Sequence, residues 1–518
     1  MLPRIPGTSP LCSLLFAALA IVASLGCNHR TPRDPGEFRV GIEGTPDTLD
    51  PRYASDAHGM RILPLLFNGL LSEEPSGQFR LDLAESWQQP DPLTHVFRLR
   101  AGVRFHDGAP LTARDVAATF RFLLDPAHGC PATGSLKQVA GVDAPDDRTV
   151  VFHLSRMAVS LPYQLTIGIL PERLAGRPDL GEQVIGTGPY RLAAFRAASE
   201  VVLKAFTDYF AGPPHLESIT FRIVSNATTR LLEIESGGLD LLQNAVPPFA
   251  VKFLRRNPEL EVLVAPGSSY QYLGFNFDDP LLRDVRIRKA ISFAIDRRAL
   301  IDFALEGFAR PATGLFPPEH WAADRHLAET PYDPVLARRL LDEAGHPDPD
   351  GEGPAVRFHV SYKTSTDKTA NEVARIIADQ LARVGIGVEV RGFEWGTFFS
   401  DVKKGNFQLM SLRWVGMNDP DSFHFLFHSA SIPPAGANRG RYRNAEVDAL
   451  IDASRGEPDP ERRRVLYLRI QEALARDVAY ASLWWLDNVV VLRRGFTGFR
   501  PLPGGEYTSL AGVRRVLP

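Results

Sequence analysis

Cysteine is nearly missing from this chain, with three in 518 residues. Cys12 and Cys27 fall within the first 27 residues, so Cys130 is alone in the remaining body and no intramolecular disulfide can staple it. Cys130 sits in Asp125-Pro126-Ala127-His128-Gly129-Cys130-Pro131, a loop composition without the polarising neighbours that make a reactive thiolate. Charge of one sign is also lacking. Lys plus Arg number 58 against 61 Asp plus Glu, a formal net charge of −3, with arginine spread along the chain rather than gathered into a patch. That removes the electrostatic footprint of a nucleic-acid binder. Beyond the N-terminus no apolar run approaches the roughly 20 residues a membrane helix needs; Phe423 to Phe427 is far too short. The motifs Gly-x-Ser-x-Gly, His-Glu-x-x-His and Cys-x-x-Cys are all absent. Gly186-Thr187-Gly188-Pro189-Tyr190 is followed by no Lys-Ser or Lys-Thr, which excludes a P-loop. Asp419 and Asp421 share one turn, so they do not face each other across a substrate as a glycosidase pair must. No catalytic residue, no cofactor and no enzyme activity are assigned.

What the chain does have begins at its N-terminus. Leu11 to Leu25 is almost wholly apolar, preceded by Arg4, and reads as an export signal. Ser24-Leu25-Gly26-Cys27 resembles a bacterial lipoprotein cleavage site, so residues 1–27 read as a lipoprotein-type signal with Cys27 as the lipidated residue. Residues 28–37 are polar and proline-rich, a tether. The length predicts more than one domain, and 44% hydrophobic residues suffice for sizeable cores.

Phe38, Val40 and Ile42 alternate as in a strand, ahead of the turn-like Gly44-Thr45-Pro46-Asp47. Thr112 and Asp115 read as a short capping box before the stripe Val116, Phe120, Leu123 and Leu124, stopped by Asp125-Pro126. Residues 146–154 alternate weakly, as an edge strand does. Asp333-Pro334 and Asp459-Pro460 each open a helix, with Asp capping and Pro in the first turn. Within 355–391, Val356, Phe358 and Val360 alternate, Val373, Ala374, Ile377 and Leu381 recur at helical spacing up to Gly385, and Ile386, Val388 and Val390 alternate again. Strand, helix and strand in this space make a βαβ unit with a parallel pair.

The ordered string Ala84-Glu85-Ser86-Trp87, Phe97-Arg98-Leu99-Arg100-Ala101-Gly102-Val103-Arg104-Phe105-His106-Asp107-Gly108 and Leu111-Thr112-Ala113-Arg114-Asp115-Val116 exceeds anything local periodicity demands. It resembles the signature of the family 5 extracytoplasmic solute-binding proteins, which serve oligopeptide and dipeptide ABC importers. Gly186 to Tyr190, Tyr272-Leu273-Gly274-Phe275-Asn276, the stretch from Asp284 to Arg297, and Arg464 to Trp484 resemble further elements of the same family. The resemblance implies an α/β, two-lobed periplasmic-binding-protein fold of type II with an extra subdomain inserted in lobe one. Lobe one would comprise 36–75, 185–268 and 488–518, the insert 76–184, and lobe two 269–487. The implied function is capture of peptides or peptide-like solutes in the interlobe cleft and delivery to a permease. Permease and ATPase would be separate chains, and the protein an exported monomer lipid-anchored at the periplasmic or cell-surface face. A non-peptide ligand such as a metal chelate or an oligosaccharide, or ligand sensing without transport, stays open.

The strongest binding candidate is Arg413-Trp414-Val415-Gly416-Met417-Asn418-Asp419-Pro420-Asp421. Trp414 offers a flat apolar wall with a polar edge; its alternative is a core tryptophan. In peptide-binding relatives an aspartate shortly after this tryptophan meets the peptide ammonium. Met417 stands at that place here, with Asn418 and Asp419 beside it. Thr45 and Pro46 resemble the first-lobe loop that reaches the ligand. Tyr270, Tyr272 and Asn276 fall at the expected hinge crossing, with Asn276 read as satisfying backbone groups there. Trp395 and Trp484 are pocket walls or core. His424 and His428, four residues apart, are either packing histidines or a partial metal site.

Overall fold

The computed structural model describes residues 36–516, apart from 352 and 354. The signal segment, the lipidation site Cys27 and the tether up to residue 35 lie outside the described residues. Among the described residues no helix is long and apolar enough to cross a membrane.

A mixed sheet of eleven strands runs through the body. Ten follow in the order 386–393, 358–365, 409–414, 260–275, 480–493, 241–243, 37–42, 218–223, 200–205 and 190–196, and Ala309–Pro311 pairs separately with the 480–493 strand. The two long strands, Leu260–Phe275 and Tyr480–Arg493, are antiparallel and shared by both halves of the sheet. Their first pairing runs from Leu260↔Arg493 to Ala265↔Asn488, and the second from Ser269↔Leu486 to Gly274↔Tyr480. Pro266, Gly267 and Ser268 therefore face Asp487 alone. Pro266 has no N–H to give a ladder, and a Cβ on Gly267 would fall 2.2 Å from the Leu486 carbonyl oxygen, so the bulge requires glycine. On one side of this break lies a core around Phe38, Val40, Tyr190 and Phe221. On the other lie two, around Phe275, Tyr362 and Ile377, and around Tyr272, Phe423 and Tyr467. The fold is two-lobed, and the lobes are joined through these crossing strands.

The break lies before Tyr270, Tyr272 and Asn276, which belong to the lobe-two half of their strand, so the hinge is several residues earlier than expected. The Asn276 amide donates to the carbonyls of Gly405 (3.0 Å) and Phe407 (2.8 Å), tying down the loop into the 409–414 strand rather than the hinge. At the hinge, Asn488 Nδ2 donates to the carbonyls of Leu502 (2.8 Å) and Pro503 (3.1 Å), and the Ser268 N–H donates to Pro503 (3.0 Å).

The βαβ unit is present. Phe358–Ser365 and Ile386–Phe393 are parallel, with Lys368–Ala382 crossing between them and Asp367 capping at Ala370 N–H (2.8 Å). Asp333 and Asp459 cap their helices as predicted. Residues 149–154, however, are not an edge. They lie inside a four-stranded sheet, between Thr94–Leu99 and Val139–Asp143, with Val150 and Phe152 fully buried.

That sheet packs on helix Ala113–Leu124, whose Val116, Phe120 and Leu123 are fully buried, at about 1.5–3 kcal/mol each relative to exposure. Asp115 Oδ2 accepts from the Thr112 N–H (2.7 Å) and hydroxyl (2.9 Å), while Oδ1 accepts from the Glu172 N–H (2.8 Å). His106 joins this subdomain to the glycine turn. Its Nδ1 accepts from the Gly186 N–H (3.2 Å), its Nε2 donates to the Gly188 carbonyl (3.1 Å), and its backbone N–H donates to the Gly186 carbonyl (2.9 Å). Burial holds this imidazole neutral, with its pKa lowered to about 4. Cβ atoms on Gly186 and Gly188 would fall 2.1 and 2.5 Å from the carbonyl oxygens of Leu66 and Leu65. The glycines are needed for that close approach.

Candidate functional site

Ligands of open α/β sheets settle at the carboxyl ends of parallel strands. In lobe two, three mutually aligned strands, 358–365, 386–393 and 409–414, end on one edge. That edge presents Asp367, Trp395, Arg413 and Trp414. In lobe one the parallel strands 37–42 and 241–243 end at Glu43 and Asn244, with Thr45 and Pro46 beyond. Helix Ala57–Leu66, carrying Arg61, follows.

The two edges meet electrostatically at Arg413. Burial lowers its pKa most, the like charge of Arg61 lowers it further, and Glu43 and Asp367 partly oppose them. Arg61 and Glu43 also act on Tyr507, whose hydroxyl burial pushes up to about 12. Burial raises the neighbouring Glu506 carboxyl, against the pull of Arg61.

Strand alternation turns Trp414 to the opposite side from Arg413. Its ring lies nearly parallel to that of Tyr272 (6.2 Å between centroids, 9°), which stacks in turn on Tyr480 (4.0 Å) and Tyr270 (5.8 Å). On Trp414 sits the Arg439 guanidinium, 4.3 Å from the ring centroid and 5.0 Å from that of Phe399, and Phe399 stacks on Trp395 at 5.5 Å. Trp395 and Trp414 are thus parts of one aromatic and cationic ladder, with Trp395 54% exposed at its outer end.

The inserted subdomain also reaches lobe two. The turn between Leu71–Glu73 and Phe79–Leu81 offers the Ser76 carbonyl to the Trp321 N–H (2.9 Å). Gly77 has φ +76° and lies against the His320 ring, where a Cβ would fall 2.2 Å from Nε2. His320 Nε2 donates to the Asn418 carbonyl (2.8 Å), and burial lowers its pKa to about 4. The Asn418 side chain bonds Glu73, whose carboxyl burial raises to about 7. Asp419 is raised to about 8 by burial, by Asp421 and by Glu73. Its carboxylate accepts from the Asp421 N–H (2.8 Å), and Asp421 pairs with Arg455 (2.8 Å).

The other predicted residues are dispersed. Met417 packs on the lobe-two core. Thr45 Oγ1 accepts from the Ala198 N–H (3.2 Å), and Pro46 is buried. Tyr270 is buried with its hydroxyl on Ser482 (2.7 Å), Tyr272 is fully buried, and Trp484 lies in the other lobe-two core. His424 and His428 come together with Asp452, their ligand atoms within 4.8 Å of one another. Yet His428 Nδ1 accepts from the Ala430 N–H (3.0 Å), so its Nε2 carries the proton of the neutral ring and turns it toward Asp452 (3.6 Å). A metal at Nε2 would have to displace it. Sequence reasoning passed over Arg61, Glu43, Asp367, Phe399 and Arg439. Asp367 was legible as the residue closing the first strand of the βαβ unit; the others are joined by contacts distant in sequence.

The family model for bacterial extracellular solute-binding proteins, family 5 Middle, matches residues 78–432. The chain is 26% identical over 493 residues to the oligopeptide-binding protein AppA of Bacillus subtilis, covering 91% of this chain and 90% of that one. It is 29% identical over 511 residues to the glutathione-binding protein GsiB of Escherichia coli O1:K1 / APEC, covering 96% and 94%. The crystal structure of the ABC transporter substrate-binding protein CtaP of Listeria monocytogenes superposes with a TM-score of 0.84 at 25% identity, covering 93% of this chain and all of that one. The chain belongs to the bacterial extracellular solute-binding proteins of family 5.

Proposed function

We propose that this protein is the solute-binding component of an ABC importer, taking peptides or peptide-like solutes into the cleft between its lobes. The observation that carries this reading is the bulge at 266–268 opposite Asp487, beyond which the parallel-strand edges of both lobes confront each other around Arg413. Closure about that bulge would bury a solute touching both edges, and the solute favours the closed state only by its differential contacts there. The similarity to oligopeptide-binding and glutathione-binding proteins supports peptides as the ligand class. In this reading the boundaries between lobes and insert fall near 75, 185, 268 and 487. The chain is a monomer tethered through a lipid on Cys27, and the permease and ATPase are separate chains. Nothing is chemically changed in the cleft.

Native mass spectrometry of gently purified protein tests this. Short peptides released intact on activation are the expected result. Release of only sugars or metal chelates would move the ligand class, and consumption of a substrate would overturn the reading.

A further inference from the structure

We propose that the solute taken into this cleft carries an acidic group, received by Arg413 of lobe two with Arg61 of lobe one opposite. This rests on the reading of the chain as a solute-binding protein and names the chemistry its cleft selects.

Elsewhere in the chain, arginines withdrawn from solvent are engaged. Arg52, whose side chain is fully buried, pairs with Asp50 at 2.6 Å and donates to the carbonyls of Ala175 and Arg177. Arg297 donates to the carbonyls of Ser292, Ile295 and Ser482. Arg439 lies on Trp414. Arg413 and Arg61 differ. Among the described residues, neither guanidinium makes a hydrogen bond or an ion pair. Arg413 projects from the carboxyl end of its strand, opposite Gln271 in the register. Arg61 lies along the backbone of Gly505, where a Cβ would be 3.2 Å from Nε. The burial that lowers the pKa of Arg413, and the like charge of Arg61 that adds to it, both penalise an empty arrangement.

The acids facing this pair do not quench it. Asp367 spends its carboxylate capping Ala370, Glu43 is exposed and outside ion-pair distance of Arg413, and Glu506 has its carboxyl raised by burial. Two unengaged guanidinium forks from opposite lobes form a receptor for a planar oxyanion, which each can bind in a bidentate fashion. A carboxylate bridging them would also convert interlobe repulsion into attraction and so couple binding to closure.

The test is calorimetric titration of the full chain with four probes: Ala-Ala-Ala, its C-terminal amide, Ala-Glu-Ala amide, and Ala-Gln-Ala amide. Binding of the probes that carry a carboxylate, at least tenfold weaker for those without, is expected. Ala-Glu-Ala amide distinguishes a side-chain carboxylate from a terminal one. Arg413→Gln should remove the preference while leaving the amides' affinity unchanged, and Arg413→Lys should restore part of it. Equal affinity for acidic and amidated probes, or an undiminished preference in Arg413→Gln, overturns this inference and leaves peptide capture standing. Failure of every probe to bind overturns peptide capture itself.

Discussion

The Gly267 backbone passes so close to the Leu486 carbonyl that a Cβ would lie 2.2 Å from its oxygen, at the point where the crossing strands lose and regain their register. Backbone meets backbone there, so no side chain can yield. Gly267→Ala is expected to cost about 1–3 kcal/mol by overpacking, seen as a lowered calorimetric melting temperature. Gly416→Ala is the comparison for position: a Cβ there has open space, but φ is +68°, so its smaller cost reports backbone strain alone.

Stability should fall as pH rises through neutrality. Glu73 and Asp419, ordinarily near 4.5 and 3.8, are raised by burial to about 7 and about 8 in the folded chain. Between those values the folded state holds more protons than the unfolded one, so the free energy of unfolding decreases with pH. The loss begins above pH ~4 and continues until the folded groups ionise. Urea denaturation at pH 5 and pH 8 checks the sign, and Glu73→Gln and Asp419→Asn should each flatten the slope.

Arg439→Met keeps much of the side-chain volume but removes the cation from Trp414 and Phe399. A loss of about 1–2 kcal/mol is expected from a partly desolvated cation–π contact, with a change in tryptophan emission. An unaltered spectrum and melting temperature would show that the ladder contributes nothing.

Zinc should not find a strong site at His424, His428 and Asp452. Coordination through His428 Nε2 would require giving up the proton that its Nδ1 bond to Ala430 assigns there. Titration with zinc or nickel is expected to give no heat that His424→Ala or His428→Ala abolishes.

The turn at Gly77 tests the contact between the insert and lobe two. Its φ of +76° and the buried His320 ring both oppose a side chain. Gly77→Ala should raise hydrogen exchange at the Trp321 N–H, which donates to Ser76. Unchanged protection there would mean that the turn does not hold lobe two.

Much of the local architecture was legible because its causes are local. Asp333, Asp367 and Asp459 cap helices through bonds within three residues, and the alternation at 358–365 and 386–393 needs only the pleat to be read. Errors came where partners are distant. The strand 149–154 looks like an edge until Val139–Asp143 pairs with its free side. The hinge was placed near Tyr270 to Asn276 because the bulge at Pro266 depends on the register with Asp487. Within the candidate site, Trp414 stood out by its own chemistry. Arg61 carried no local mark, being a helix residue that becomes informative only when the other lobe brings Arg413 to it.

Small-angle scattering of the full chain, with and without a saturating peptide of measured affinity, tests the central claim most directly. Closure about the 266–268 bulge predicts a smaller radius of gyration in the bound state. A profile unchanged by a peptide that demonstrably binds would contradict capture between moving lobes.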